Sequence, residues 1–433
     1  MPSLLRRHAA LPLAALAAAS LVRPAPAGAA GFAIFEQGAL GMGFAGAFTA
    51  QASDPSAIFH NAAGIAFLKR NQIYLGGTLV HPSTSFTGAD PFPGAGTKET
   101  QSVGFLPVPA AYYTHQFSER SVLGVGLHAP FGLSSKWKDP DRFSGRFVSQ
   151  LAELRGFSLN PTIAWKLADR LSVGAGLDIR FASVALERNV PLIDPFAQKV
   201  VDVGQARLES DTATKLGFNL GILARPSDSL SIGLSYRHKV NMEFAGTGSF
   251  SQIRTGNPQL DARVAAVLPS GQVPLTTAVE FPAIVSGGVA YAWGDWRAEA
   301  DINWYQWSTF DRLILSFEGR SDLNQVIEEE YSDVFQYRLG VERRLNDVWS
   351  VRGGYFFDKS PAPPESVSPL LPDASRHGIA LGGSWRSGAL RLDGSAWTLL
   401  VNDRSTEGRN RDRFDGTYSS FVVTFGLFLG YSF

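Results

Sequence analysis

Cysteine is absent from all 433 residues, which excludes a disulfide framework or a thiolate-held metal and suits a chain that crosses an oxidising compartment unfolded. Excess charge is missing too. The 39 basic residues are matched by 39 acidic ones, so neither nucleic acid nor an acidic surface is suggested as a partner. After the first 29 residues no stretch reaches the roughly 18 uninterrupted apolar residues that a membrane-spanning helix needs. The chain also lacks a glycine-rich phosphate loop, metal-spaced histidines and a Gly-x-Ser-x-Gly elbow. His115, His128, His238 and His377 are scattered. No catalytic centre, cofactor or metal is expected.

What is present points to strands. Phe421 to Phe433 reads FVVTFGLFLGYSF, with large apolar residues at every second position and Ser432, Gly430, Gly426 and Thr424 between them. Period two belongs to a strand with two unlike faces, and a run of about a dozen residues crosses a bilayer as a tilted strand. As the edge of a soluble sandwich it would leave a long apolar border open to aggregation. A chain that ends on an aromatic residue in such a strand has the form that barrel-assembly machinery receives. In Leu171–Arg188 the apolar face is Leu171, Val173, Ala175, Leu177, Ile179 and Phe181, and the opposite face begins Ser172, Gly174, Gly176, Asp178, Arg180. About fourteen such runs follow one another.

Short links at 118–120, 168–170, 226–229, 294–295, 346–347 and 387–388 alternate with long polar segments near 88–104, 133–155, 190–213, 246–275, 310–331, 359–376 and 402–417. Short and long connections alternate in this way in outer-membrane barrels. Trp165, Trp293, Trp296, Trp349 and Trp385 lie beside the short links on the apolar face of their strands, where an amphipathic indole favours the headgroup level. Residues 1–29 read as a secretory signal, with Arg6 and Arg7, an Ala/Leu-rich run and Ala27-Gly28-Ala29 as the cleavage site. Residues 30–68 are small, poorly alternating and compatible with short helices, as expected of a segment packed inside something else. Residues 69–433 then form an all-β, transmembrane antiparallel barrel of about 14 strands around that small, partly helical piece.

Several segments resemble the FadL family of outer-membrane long-chain fatty acid and aromatic hydrocarbon transporters. They are Gly31-Phe32, Asn61-Ala62-Ala63-Gly64, PFGL at 130–133, LNPTIAWKLADRLSVGAGL at 159–177, VRGGYFFDKSPAP from Val351 and LPDASRH ending at His377. The resemblance implies fourteen strands around an N-terminal hatch that includes Gly31, Asn61 and Ala63. Two positions depart from the family. Asn61-Ala62-Ala63 stands where Asn-Pro-Ala is usual, which puts the rigid turn in question, and Ser332 stands where the fatty acid carriers have a second basic residue. Their arginine corresponds to Arg188, which by parity shares the lumen face of Asp178 and Arg180. There it either binds a carboxylate or is satisfied by Asp178 or Asp301.

The third strand has Pro130 and Gly132 near its outer end, and proline donates no ladder hydrogen bond. Either the strand simply ends there, or it kinks and opens the wall at His128, Pro130, Phe131 and Gly132, as in the family. Phe32, Trp137, Phe143 and Arg188 are the expected substrate contacts; Trp137 and Phe143, with Phe147 and Phe196 in the same outer loops, either form a capture groove or pack as the core of those loops. The expected partners are a hydrophobic small molecule, outer-membrane lipid and lipopolysaccharide, and the assembly machinery, around a monomer. The implied activity is passive uptake of fatty acids or hydrocarbons, with an aromatic-hydrocarbon importer or a general polar porin as alternatives.

Overall fold

The computed structural model describes residues 31–195, 198–269 and 271–433. The expected signal sequence and Phe196 lie outside the described residues. Fourteen strands form the wall. Some run unbroken: β1 (Gln72–Gly88), β2 (Leu106–Gln116), β4 (Leu151–Ala168), β5 (Leu171–Asp194), β11 (Trp349–Asp358), β12 (Arg376–Ser387), β13 (Leu390–Val401) and β14 (Gly416–Ser432). The others are interrupted once each. They are β3 (Ser121–His128, Gly132–Lys136), β6 (Lys199–Ser210, Ala213–Ala224), β7 (Leu230–Arg237, Val240–Gln252), β8 (Gln272–Phe281, Ile284–Trp293), β9 (Trp296–Tyr305, Arg312–Phe317) and β10 (Gln325–Glu328, Val334–Arg344). Each strand pairs antiparallel with the next, and β14 pairs with β1 from Ser432↔Gln72 to Gly416↔Gly88, which closes the cylinder.

The two faces follow the alternation in the sequence. On β14, Phe421, Phe425, Leu427, Leu429 and Tyr431 are 44–60% exposed, whereas Val422, Thr424 and Phe428 are buried. An apolar band of this extent makes sense against lipid and not against water. The short links gather at one end, and two of them, Gly294-Asp295 and Gly388-Ala389, begin on a glycine with φ near +55° and +58°, as a two-residue hairpin turn of the primed type requires. Trp165, Trp293, Trp296 and Trp349 stand there 40–56% exposed, and Trp349 faces Trp385 across the β11–β12 register. Backbone bonds between Asn71 and Phe433 seal the same end.

Three of the expected long loops carry regular structure of their own. Residues 190–210 continue the β5–β6 hairpin, with Asp194 opposite Lys199. Residues 246–275 carry the end of β7, the helix Pro258–Val267 and the start of β8, and 310–331 hold the outer pieces of β9 and β10. A membrane crossing takes about 9–11 tilted residues, so the 24 residues of β5 project well beyond the bilayer. Out there the outward face meets water and its polar residues resemble a loop. Asn257 caps the helix, its Oδ1 accepting from Gln259 and Leu260 N–H at 3.0 and 3.3 Å, with Pro258 opening the first turn.

Residues 31–68 lie inside the cylinder. All of them are buried except Ser53 and Phe67, which are half-buried. Their regular structure is limited to the helices Ala39–Gly43 and Ala57–His60 and the 3-10 turn Ala62–Phe67.

Candidate functional site

A buried segment with so little regular structure needs other partners for its backbone, and the wall supplies them. On β9, Asp301 Oδ2 accepts from the N–H groups of Phe48 and Thr49, both at 2.9 Å. Glu299 accepts from Ala50 at 2.6 Å and Gln51 at 3.0 Å. Two wall carboxylates thus hold four consecutive amides. Arg338 of β10 donates to Ala45 O at 2.9 Å, and Arg391 of β13 pairs with Asp54 at 3.0 Å. Asn61 Nδ2 donates to Thr49 O (2.8 Å) and to Ile222 O of β6 (3.1 Å). Close approach needs bare backbone: a Cβ on Gly174 would overlap the Ala62 and Ala63 main chain, and one on Gly221 would overlap Asn61 Oδ1.

The first residues are held differently. Ile34 N–H donates to Pro130 O at 2.9 Å and Gly132 N–H to Phe32 O at 2.8 Å, so Ala33 bridges Phe131 like a fragment of added strand. Gln37 completes the pairing through Nε2 to Ala129 O (2.6 Å) and Oε1 from Ala129 N–H (3.1 Å). The ring of Phe32 fills an aromatic cage of Trp307, Phe310, Phe281 and Phe131, with centroids 4.7, 5.3, 5.7 and 6.1 Å away. Every cage member sits at an interruption of its strand: Phe131 in β3, Phe281 before the break in β8, and Trp307 and Phe310 in β9. Tyr331, in the break of β10, packs behind them. Arg180, paired with Asp178 at 2.8 Å, lies over the rings of Phe131 and Phe281. Trp307 Nε1 and the Tyr331 hydroxyl are buried with no hydrogen-bond partner among the described residues.

The interruption of β3 also breaks the pairing of the wall. Its lower piece pairs with β2 only up to Leu127↔Ala111, while its upper piece pairs with β4 alone. The backbone is joined again at Ser102 N–H to Lys136 O, 2.7 Å. Between these points Leu106–Ala110 of β2 has β1 on one side and no strand on the other. Amides of odd-numbered residues in β2 point toward β3, as Phe117 does in donating to Ser121 O. Even-numbered ones point toward β1, as Gln116 does in donating to Asn71 Oδ1. Pro107 and Pro109 occupy odd positions on the unpaired stretch, so their missing N–H groups fall on the open side.

At the outer end a cavity of about 300 Å³ lies between the projecting strands and the Pro258–Val267 helix, lined by Leu186, Leu208, Phe250, Val264, Phe317 and Ile327 among others. Arg188 is its neighbour from β5. Neither Asp178 nor Asp301 satisfies this arginine: Asp178 is shared by Arg180 and Arg237, and Asp301 holds the lumen segment. The acid that feels Arg188 is Asp412, whose carboxyl is raised by burial and drawn back down by Arg188 and Arg411. Trp137 and Phe143 do not line this cavity. They stack on each other at 4.4 Å and 6°, fully buried, with Trp137 Nε1 donating to Pro369 O at 3.0 Å. Ser332 is exposed and its N–H bonds to Pro361 O.

The model of the family described as "Outer membrane protein transport protein (OMPP1/FadL/TodX)" matches residues 20–433. The chain belongs to that family. Among curated relatives, the long-chain fatty acid transport protein of Salmonella typhi is 24% identical over 385 residues, covering 85% of this chain and 86% of the relative. Outer membrane protein P1 of Haemophilus influenzae is 24% identical over 410 residues, with 86% of each covered. A Pseudomonas aeruginosa FadL homologue of known structure superposes with a TM-score of 0.80 at 20% identity, over 93% of this chain and 99% of that one. The P. putida toluene transporter TodX gives 0.72 at 17%, over 92% and 99%. The solved structures confirm the fold, and membership of the family gives the chain a place as a multi-pass barrel in the outer membrane of a Gram-negative cell.

Within this OMPP1/FadL/TodX member the turn at Asn61 forms without proline. Ala62 opens the 3-10 turn, where a missing N–H costs little, and Asn61 Oδ1 accepts from Ala63 N–H at 3.1 Å. Sequence reasoning missed Glu299 as an anchor, and Phe281, Trp307 and Phe310 as cage residues. Glu299 and Asp301 share inward parity in WRAEADINWYQW. Two acids side by side on a lumen face, with Arg297 the single base beside them in the strand, were the available signal. The cage residues interrupt alternation, so period two could not find them, although Phe281-Pro282 marks one break.

Proposed function

We propose that this outer-membrane transporter takes up hydrophobic small molecules, fatty acids or hydrocarbons, by binding and handover, without nucleotide or ion coupling. The observation that supports this reading is Phe32, a greasy side chain of the chain's own beginning seated in an aromatic cage beside the one place where β2 and β3 part among the described residues. An apolar solute gains about 25 cal/mol per Å² by leaving water, which favours a succession of apolar sites over a wet pore. In this proposal the outer cavity receives the molecule, and Arg188 orients a carboxylate. Ligand then displaces Phe32, the Ile34–Pro130 pairing loosens, and release is sideways past His128, Pro130, Phe131 and Gly132. Residues 30–68 act as a hatch, anchored from Ala45 onward by Arg338, Glu299, Asp301 and Arg391, so that the tip moves while the stem stays.

Proteoliposomes test this directly. The protein should pass dodecanoate or toluene and exclude sugars of similar size. Sugar permeation at porin-like rates, or no hydrophobic flux, overturns it. A second reading, a neutral aromatic hydrocarbon as natural ligand, is favoured by Ser332 in place of a second cation. Comparing the two solutes in Arg188→Ala separates the readings.

A further inference from the structure

A second cavity, of about 290 Å³, lies at the opposite end of the barrel, between the base of the lumen segment and the lower ends of β6–β9. Its lining is polar where the outer cavity is greasy, with Ser53, Ser229 and Ser231 around two arginines, Arg225 and Arg297. Neither arginine makes an ion pair among the described residues. Arg297 Nη1 reaches only the amide oxygen of Gln51, at 3.3 Å. Arg225 sits over Phe67 with its guanidinium carbon 3.9 Å from the ring centroid, a cation–π contact that holds the side chain in place.

The nearby acids are committed elsewhere. Asp228 borders the cavity but is 96% exposed and pairs with Arg170 at 2.9 Å, and both oxygens of Glu299 serve the lumen segment. Burial, and then the like charge of Arg297, push Arg225 down to about 10. Two partly desolvated cations that repel each other, with hydroxyls beside them, are the complement of an oxyanion.

We infer that this cavity is an oxyanion site, in which Arg225 and Arg297 hold the carboxylate or phosphate headgroup of an amphiphile at the inner mouth of the barrel. The inference rests on the transport reading only for the direction from which the amphiphile arrives. It adds a station below the hatch, distinct from the sideways opening.

Full-length protein in detergent micelles is photolabelled with dodecanoic acid carrying a diazirine close to its carboxylate, and with the matching alcohol, and adducts are located by mass spectrometry. Peptides containing Phe67 or Tyr291 should be labelled about tenfold more by the acid than by the alcohol, as charge-assisted pairing predicts. Arg225→Gln/Arg297→Gln should lose that excess and Arg225→Lys/Arg297→Lys should keep most of it, which separates charge from folding. Suppression by excess inorganic phosphate identifies a headgroup site that a free anion can fill, and resistance to it identifies one that needs the tail; both support an oxyanion. Equal labelling by acid and alcohol, or an excess that survives in the Gln pair, overturns the inference. Adducts at Phe250 in the outer cavity report separately on the transport reading.

Discussion

Replacing Phe32 with alanine should make the protein bind its ligand more tightly, not less. Phe32 is 2% exposed and meets four rings within 6.1 Å. Burying such a side chain is worth roughly 1.5–3 kcal/mol, and edge-to-face contacts add to that in a non-additive way. A solute that needs the cage must first displace this ring, so its apparent affinity is reduced by the same amount. Vacating the cage should therefore lower the Kd for toluene or dodecanoate by about tenfold to about a hundredfold. Titration calorimetry of the detergent-solubilised barrel measures this, with Phe32→Leu as the variant that keeps the cage filled and the Kd near wild type. An unchanged or weaker affinity in folded Phe32→Ala would refute the idea that the tip competes with ligand.

Three further outcomes follow from the geometry. Glu299→Gln with Asp301→Asn leaves each side chain a single acceptor oxygen, so that one of the two amides held by Glu299 loses its partner, loosening the stem by roughly 2–4 kcal/mol; hydrogen exchange at Phe48 to Gln51 should accelerate, and unchanged protection counts against the anchor. Gly174→Val overlaps the Ala62 backbone and, by overpacking worth about 1–3 kcal/mol, should displace residues 61–64 and raise small-ion conductance in planar bilayers. Arg188→Ala should weaken dodecanoate binding at the outer cavity by about tenfold or more and leave toluene within about twofold; equal losses for both would remove the charge argument.

The wall was legible because its two faces meet opposite environments. Leu171 to Phe181 and Phe421 to Phe433 each alternate so strictly that pairing, closure and the tryptophan belt follow from parity. The parts that escaped obey other rules. The outer halves of β5 to β10 face water, where the contrast between faces fades. The cage arises where strands stop, and Trp307 and Phe310 are brought to Phe32 by the closure of the cylinder rather than by any spacing along the chain. Parity set Arg188 on the lumen face and it borders the outer cavity, but its freedom from Asp178 and Asp301 depends on what Arg237 and the Thr49 amide already occupy. Trp137 and Phe143 show the reverse case: aromatic residues in an outer loop looked available, yet they stack on each other under Pro369.

The prolines of β2 have a consequence for the membrane around the protein. An unpaired strand border normally invites another strand, either its own neighbour zipping shut or a border from a second molecule. Where Pro107 and Pro109 stand, this border offers carbonyl oxygens but no hydrogens to share. Neither the closing of the slit nor the joining of two barrels through it has a ladder to build on. In the transport cycle proposed above, the exit would thus be kept from zipping shut by covalent chemistry, with the tip that carries Phe32 left to decide whether it is occupied.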